Sequence, residues 1–484
     1  MKKINILIII VMLAAFVVVK PVEAQGPTGS WVSGITCQNL TSDIAEVTFD
    51  FYQEGESSPA LSYPDSIPAN GTLKYFTAST PAGLPTSFFG SATVSSSAAL
   101  SCSVNTQSTG TGTTSNPYRI GTSSGFNDTQ VANTMYVPQI TKASTWGTYM
   151  AIQNATSSAV DIQIQYFDRT TGNEIAAALE THNIPANSNL VVYPGENANL
   201  PATFYGSAKI TAGSSIGVIV SFYNAGTDYT TAQFQSYNAF ASGTKILYAP
   251  RVVRKYYGYN SGISVQNIST VPTTLTVDLS FANGQTISYT TPTIQPNASY
   301  IAYTASIPEL AEVDTYQMAQ RYASLKVTAD AEGAEIVGIT NIDNRGLSAD
   351  NNGVAVPMEN IGKGASVNMA LDGTATNTLF FTQVAKKASG FSGGIVIVNT
   401  TSSPATCDIS FAGQPDSATY NDAPLPANGQ ISLYLGTYAN LPNGFNASVK
   451  AICTENVFGT YNFSIEAGVG KYGDSYIEAN ALNQ

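Results

Sequence analysis

His182 is the only histidine in 484 residues. A Ser-His-Asp relay needs a histidine beside its nucleophile, and zinc sites commonly draw on several, so neither chemistry finds its parts here. His182 is expected in an exposed loop ahead of Ile184-Pro185. Oxygen ligands occur at Asp343-Asn344 and Asp350-Asn351-Asn352-Gly353. Their spacing fits no calcium loop and reads as turn chemistry. A carboxylate pair for hydrolysis cannot be recognised from spacing, and the acids are spread thinly along the chain. The expectation is therefore no catalytic residue, no metal site, no cofactor and no enzyme.

The residues that could bind are aromatic and cationic, and they recur in register. Eight positions before each of Asn39, Asn154, Asn267 and Asn399 stands an aromatic: Trp31, Trp146, Tyr259, Phe391. Twelve positions before three of them stands a lysine: Lys142, Lys255, Lys387. One aromatic per unit can stack on sugar rings, and one lysine per unit can meet an acidic glycan or a neighbouring domain. Simpler roles compete. The aromatics share parity with Ile35 and Cys37, Met150 and Ile152, Ile263 and Val265, and Ile395 and Ile397, so an unbroken strand puts them on the inner face. Lysines on an edge strand also block sheet-to-sheet aggregation. Core packing and edge protection are the expected roles. The four asparagines are expected to close turns by bonding to backbone.

These positions belong to four copies of one pattern. Each copy has a short strand ending in asparagine. A turn follows it: Ile67-Pro68-Ala69-Asn70, Ile184-Pro185-Ala186-Asn187, Ile294-Gln295-Pro296-Asn297, Leu425-Pro426-Ala427-Asn428. Alternating runs such as Val160 to Tyr166 and Leu275 to Phe281 read as half-buried strands. Glu309 to Ala323 has room for one short helix. Asn238-Ala239-Phe240, Asn368-Met369-Ala370 and Asn480-Ala481-Leu482 recur as a landmark near the end of copies two, three and four. Copies two to four begin with an apolar strand, at Met135-Tyr136-Val137-Pro138, Leu247-Tyr248-Ala249-Pro250 and Leu379-Phe380-Phe381. Copy one has no such run between Gln25 and Trp31, which predicts an open sheet edge.

The expected fold class is all-β, a tandem array of four β-sandwich (Ig-like) domains after a signal peptide. The boundaries read as 1–24 for the signal peptide, then 25–132, 133–244, 245–376 with an insertion near 345–366, and 377–484. Lys2, Lys3, the apolar run Ile6 to Val19 and Val22-Glu23-Ala24 form the leader. The layout resembles immunoglobulin- and fibronectin-like repeat proteins that bacteria secrete or display, a resemblance covering nearly all of the chain after its leader. It implies surface coating, spacing, adhesion or self-assembly with other surface proteins, with a polysaccharide-binding array as the alternative. It transfers no catalytic residue.

Composition agrees with this address. A net charge of -12 disfavours nucleic acid. After the leader no apolar run is long enough for a transmembrane anchor. Export favours disulfides, and pairing within copies gives Cys37-Cys102 and Cys407-Cys453. Cys37 takes a core slot, and a bridge from it to Cys102 is expected to cross the sandwich.

Overall fold

The computed structural model describes residues 29–127, 129–344 and 355–484. The expected leader and the first half of the expected copy-three insertion lie outside the described residues. The rest is an all-β tandem array, with only short 3-10 segments between strands.

Alternation in sequence becomes alternation in burial. Val160–Asp168, Leu275–Phe281 and Ala405–Phe411 each turn every second side chain into a core. Among the described residues four large hydrophobic cores form. They centre on residues 35–75, 135–240, 247–369 and 379–481. Two of them reach across: Val337 and Ile339 of copy three join the second core, and Ile120 of copy one joins the fourth.

Each core lies between two antiparallel layers. In copy two the 21-residue strand Phe204–Asn224 serves both. Its first half pairs with Val160–Asp168 and Ala132–Lys142, its second half with Trp146–Asn154 and Phe234–Asn238. Phe445–Ile465 does the same in copy four. Copies one and three break this strand in two.

The turn asparagines Asn70, Asn187, Asn297 and Asn428 all have φ between 50 and 64°. This left-handed conformation is one asparagine tolerates better than most residues, which explains why it recurs after the proline.

Two expectations are corrected. Cys37 and Cys102 are bonded, as are Cys407 and Cys453. Neither bridge crosses a sandwich. Each joins directly opposed residues on neighbouring strands of one sheet, with Cα atoms 4.1 and 4.0 Å apart. The helical stretch of copy three is 3-10, over Pro308–Thr315 and Met318–Gln320, and Tyr322 already begins a strand.

The copies are not strung out. The late strand of each, Ile120–Ser124, Phe234–Asn238, Gly364–Asn368 and Ile477–Asn480, packs beside the corresponding strand of the next. The fourth returns to the first, so the array closes into a ring around these four axial strands.

Candidate functional site

Four asparagines anchor the copies internally. Asn39, Asn154, Asn267 and Asn399 are at most 1% exposed. Asn154 Nδ2 donates to the carbonyls of Ser158 (2.7 Å), Ile184 (3.2 Å) and Pro185 (2.9 Å). Its Oδ1 accepts from the backbone N–H and hydroxyl of Thr156, at 3.0 and 2.8 Å. The other three repeat the pattern with Thr41, Ser269 and Thr401. The Asn-x-Ser/Thr triplet is therefore a folding latch whose amide nitrogen is already committed. Asn154→Ala orphans several buried backbone groups, so a loss of about 3 kcal/mol is expected in chemical unfolding. A cost below about 1 kcal/mol would contradict the latch.

The cations obey a different register from the sequence count. Lys142 Nζ donates to the carbonyls of Asn197 (3.0 Å) and Leu200 (3.4 Å). The residue doing this in copy four is Lys386, to Tyr438 and Leu441 at 2.6 Å each. In copy three it is Arg254, to Thr304 and Ile307. Lys255 and Lys387 sit one residue later, in a left-handed turn with φ of 48 and 49°. Lys255 pairs with Asp314 at 2.7 Å, and Lys387 is exposed. The turn between strands is one residue longer in copies three and four, so a fixed offset from asparagine lands on the wrong residue.

All four aromatics are half-buried. Trp146 and Phe391 pack against the cores of copies two and four. Trp31 lies 4.8 Å from the Phe234 ring of copy two, and Tyr259 lies 6.0 Å from the Tyr476 ring of copy four. Trp31 and Tyr259 thus serve contacts between copies. The structure does not bring the four together.

The axis holds a chain of polar contacts between copies, which the sequence reading missed. Asn238 Nδ2 donates to the Ser124 carbonyl (2.9 Å), Asn368 Nδ2 to that of Asn238 (2.6 Å), and Asn480 Nδ2 to that of Asn368 (2.9 Å). Each asparagine thus reaches back to the preceding copy. The repeated landmark asparagine was the available signal.

Asp474 closes the circle. It is fully buried. Its carboxylate accepts from the N–H groups of Phe234 (3.0 Å) in copy two and Gly364 (2.9 Å) in copy three, and from Tyr476 in its own. Its N–H donates to the Tyr118 carbonyl of copy one at 2.8 Å. One residue is bonded to every copy. Burial pushes its carboxyl upward, while the three N–H donors and nearby Lys363 favour the charged form. Burial pulls the Lys363 ammonium down to about 8. Its Nζ donates to the Ile465 carbonyl at 2.6 Å and to Asn360 at 2.9 Å. Arg119 Nη2 donates to the Gly226 carbonyl, tying copy one to copy two.

His182 is in the strand Glu180–Ile184, not a loop, with Nε2 3.2 Å from Glu180. Glu180 also accepts from Tyr166 and Asn197. His182 and Glu180 line a cleft of about 460 Å³ with Tyr193 and Glu196. Among the described residues no cluster of three His, Cys, Asp or Glu side chains could hold a metal, and no helix is long and apolar enough to cross a membrane.

Among the described residues, copy one has fewer strands in this layer than the other copies. Its strands Pro59–Ile67, Ala45–Gln53 and Gly90–Ser96 form a sheet of three, with Gly90–Ser96 at the edge. In the other copies the equivalent strand pairs on that side with Ala132–Lys142, Ile246–Val253 or Thr376–Lys386.

No protein-family profile matches the chain, and no curated protein matches it. Among solved structures it is similar to one described as the "Crystal structure of tetra-tandem repeat in extending region of large adhesion protein", at 14% identity over 93% of this chain and 94% of that one, with a TM-score of 0.12.

Proposed function

We propose that the protein is a non-enzymatic extracellular scaffold of the bacterial cell surface, which coats, spaces or attaches cells as a preassembled ring. The observation that carries this reading is where the recurring side chains go. The latching asparagines and the strand-end cations are spent on bonds inside their own copies, and the axial residues on holding the copies together as a ring. Two disulfides suit an oxidising compartment. The half-buried packing of Trp31 and Trp146 favours this scaffold over a row of sugar-stacking platforms.

Two measurements test it. Fractionation of the producing cells is expected to place the chain in the medium or cell-wall fraction, and a cytosolic location would refute the proposal. Tryptophan fluorescence is expected to stay unchanged on titration with cell-wall polysaccharide. A saturable shift would favour the carbohydrate-binding alternative.

A further inference from the structure

The edge of copy one departs from how proteins treat exposed strands. Edges are usually blunted by charge, proline or a bulge. Gly90-Ser91-Ala92-Thr93-Val94-Ser95-Ser96 carries none of these residues and, among the described residues, pairs with one neighbour only. Among the described residues nothing covers the core behind it. Ala92 is exposed, whereas its counterparts Ala208, Leu325 and Val449 are at most 2% exposed. Val94 is half-buried, whereas Ile210, Val327 and Ala451 are wholly buried. Phe88 is half-buried, against 3% for Phe204 and 5% for Phe445.

The other three copies show what fits there. Their covering strands bury Met135, Val137 and Ile140, then Leu247, Ala249 and Val252, then Leu379, Phe381 and Val384. Each run ends two residues later in the capping cation, at Lys142, Arg254 and Lys386. All three follow one spacing: apolar, any, apolar, any, any, apolar, any, Lys or Arg. In copy one the carbonyls that such a cation would cap belong to Pro81 and Leu84. Among the described residues no side chain is bonded to them.

We propose that the Gly90–Ser96 edge accepts an extended strand donated by a separate protein, carrying this apolar spacing and a terminal Lys or Arg. Main-chain bonds to the open edge would give affinity, and the three apolar side chains would give register. A second copy of this chain is a poor donor, because its own strands of this type are buried in its cores.

The probe is a synthetic peptide with the sequence of residues 132–142, added to the purified full chain. One-to-one saturable binding is expected, with new amide hydrogen-exchange protection confined to Gly90–Ser96 and a melting temperature raised by several degrees. Serine at the positions of Met135, Val137 and Ile140 should weaken binding at least tenfold, and alanine at the position of Lys142 about fivefold. Absence of saturable binding, or protection appearing elsewhere, would overturn the proposal. So would a dimeric protein whose Gly90–Ser96 amides are protected before any peptide is added, since that assigns the slot to a second copy. The test is independent of where the cell places the protein, so its failure would leave the scaffold reading standing.

Discussion

Asp474→Ala is expected to destabilise the protein by about 3 to 5 kcal/mol, the range for removing one partner of a buried charged network. The substitution strands the N–H groups of Phe234 and Gly364 in two different copies. It also leaves Lys363 buried with a weaker counter-charge. Unsatisfied donors in a dry interior cost far more than the net worth of the bonds they lose. The damage falls on the axis, so the ring should loosen before the sandwiches melt. Calorimetry should show a lowered and split transition, and small-angle scattering a larger radius of gyration at temperatures where strand content is intact. Asp474→Asn keeps one acceptor oxygen and should cost less. A single unshifted transition for Asp474→Ala would show that the axis does not hold the copies together.

Alkaline pH should unfold the protein steeply. Burial raises the phenol groups of Tyr166, Tyr237, Tyr461 and Tyr476 above their usual value near 10. A group raised in the folded state stabilises below its unfolded pKa and loses that contribution as pH climbs past it. Each of the four therefore favours the unfolded chain by about 1.4 kcal/mol per pH unit above about 10, or roughly 6 kcal/mol per unit together. Lys363 works the other way. Its pKa is lowered to about 8, so it adds stability only between that value and its ordinary one near 10.5. The tyrosines outnumber it. Tyrosinate absorbance should lag as pH climbs past about 10, then jump together with loss of the β-sheet circular dichroism. Smooth titration of the tyrosines near pH 10 with the sheet signal preserved would contradict this.

The sequence exposed what is local and hid what is assembled. Strands with period two, the asparagine turns and the within-copy cysteine pairs were legible, because each rests on neighbouring residues or on repetition. The latch was half legible. Asn154 was expected to close a turn, but its partners Ile184 and Pro185 lie 30 and 31 residues away. The cation register was misread, since Lys142 aligns in space with Lys386 rather than Lys387. The Cys37 bridge was placed across layers because aligning strands does not say which sheet they share. The axis left one signal, the repeated landmark asparagine, and hid its partners for a deeper reason. The side-chain amides of Asn238, Asn368 and Asn480 donate to other copies, and nothing in one copy's pattern reveals its neighbour's position. The lack of an apolar run between Gln25 and Trp31 was readable, and among the described residues the structure adds an edge with Ala92 exposed behind it.

Closure freezes the module count. A linear array can lengthen or shorten by duplication or deletion, because each end unit meets only one neighbour. Here copy four returns to copy one through the Tyr118–Gly473 bridge, so a lost unit opens a gap and an extra one finds no berth. With its number fixed, each seam can specialise on its own. Trp31 against Phe234 at one joint and Arg251 with Tyr476 at another are partnerships of this kind. Evolution of such a molecule proceeds by divergence in place.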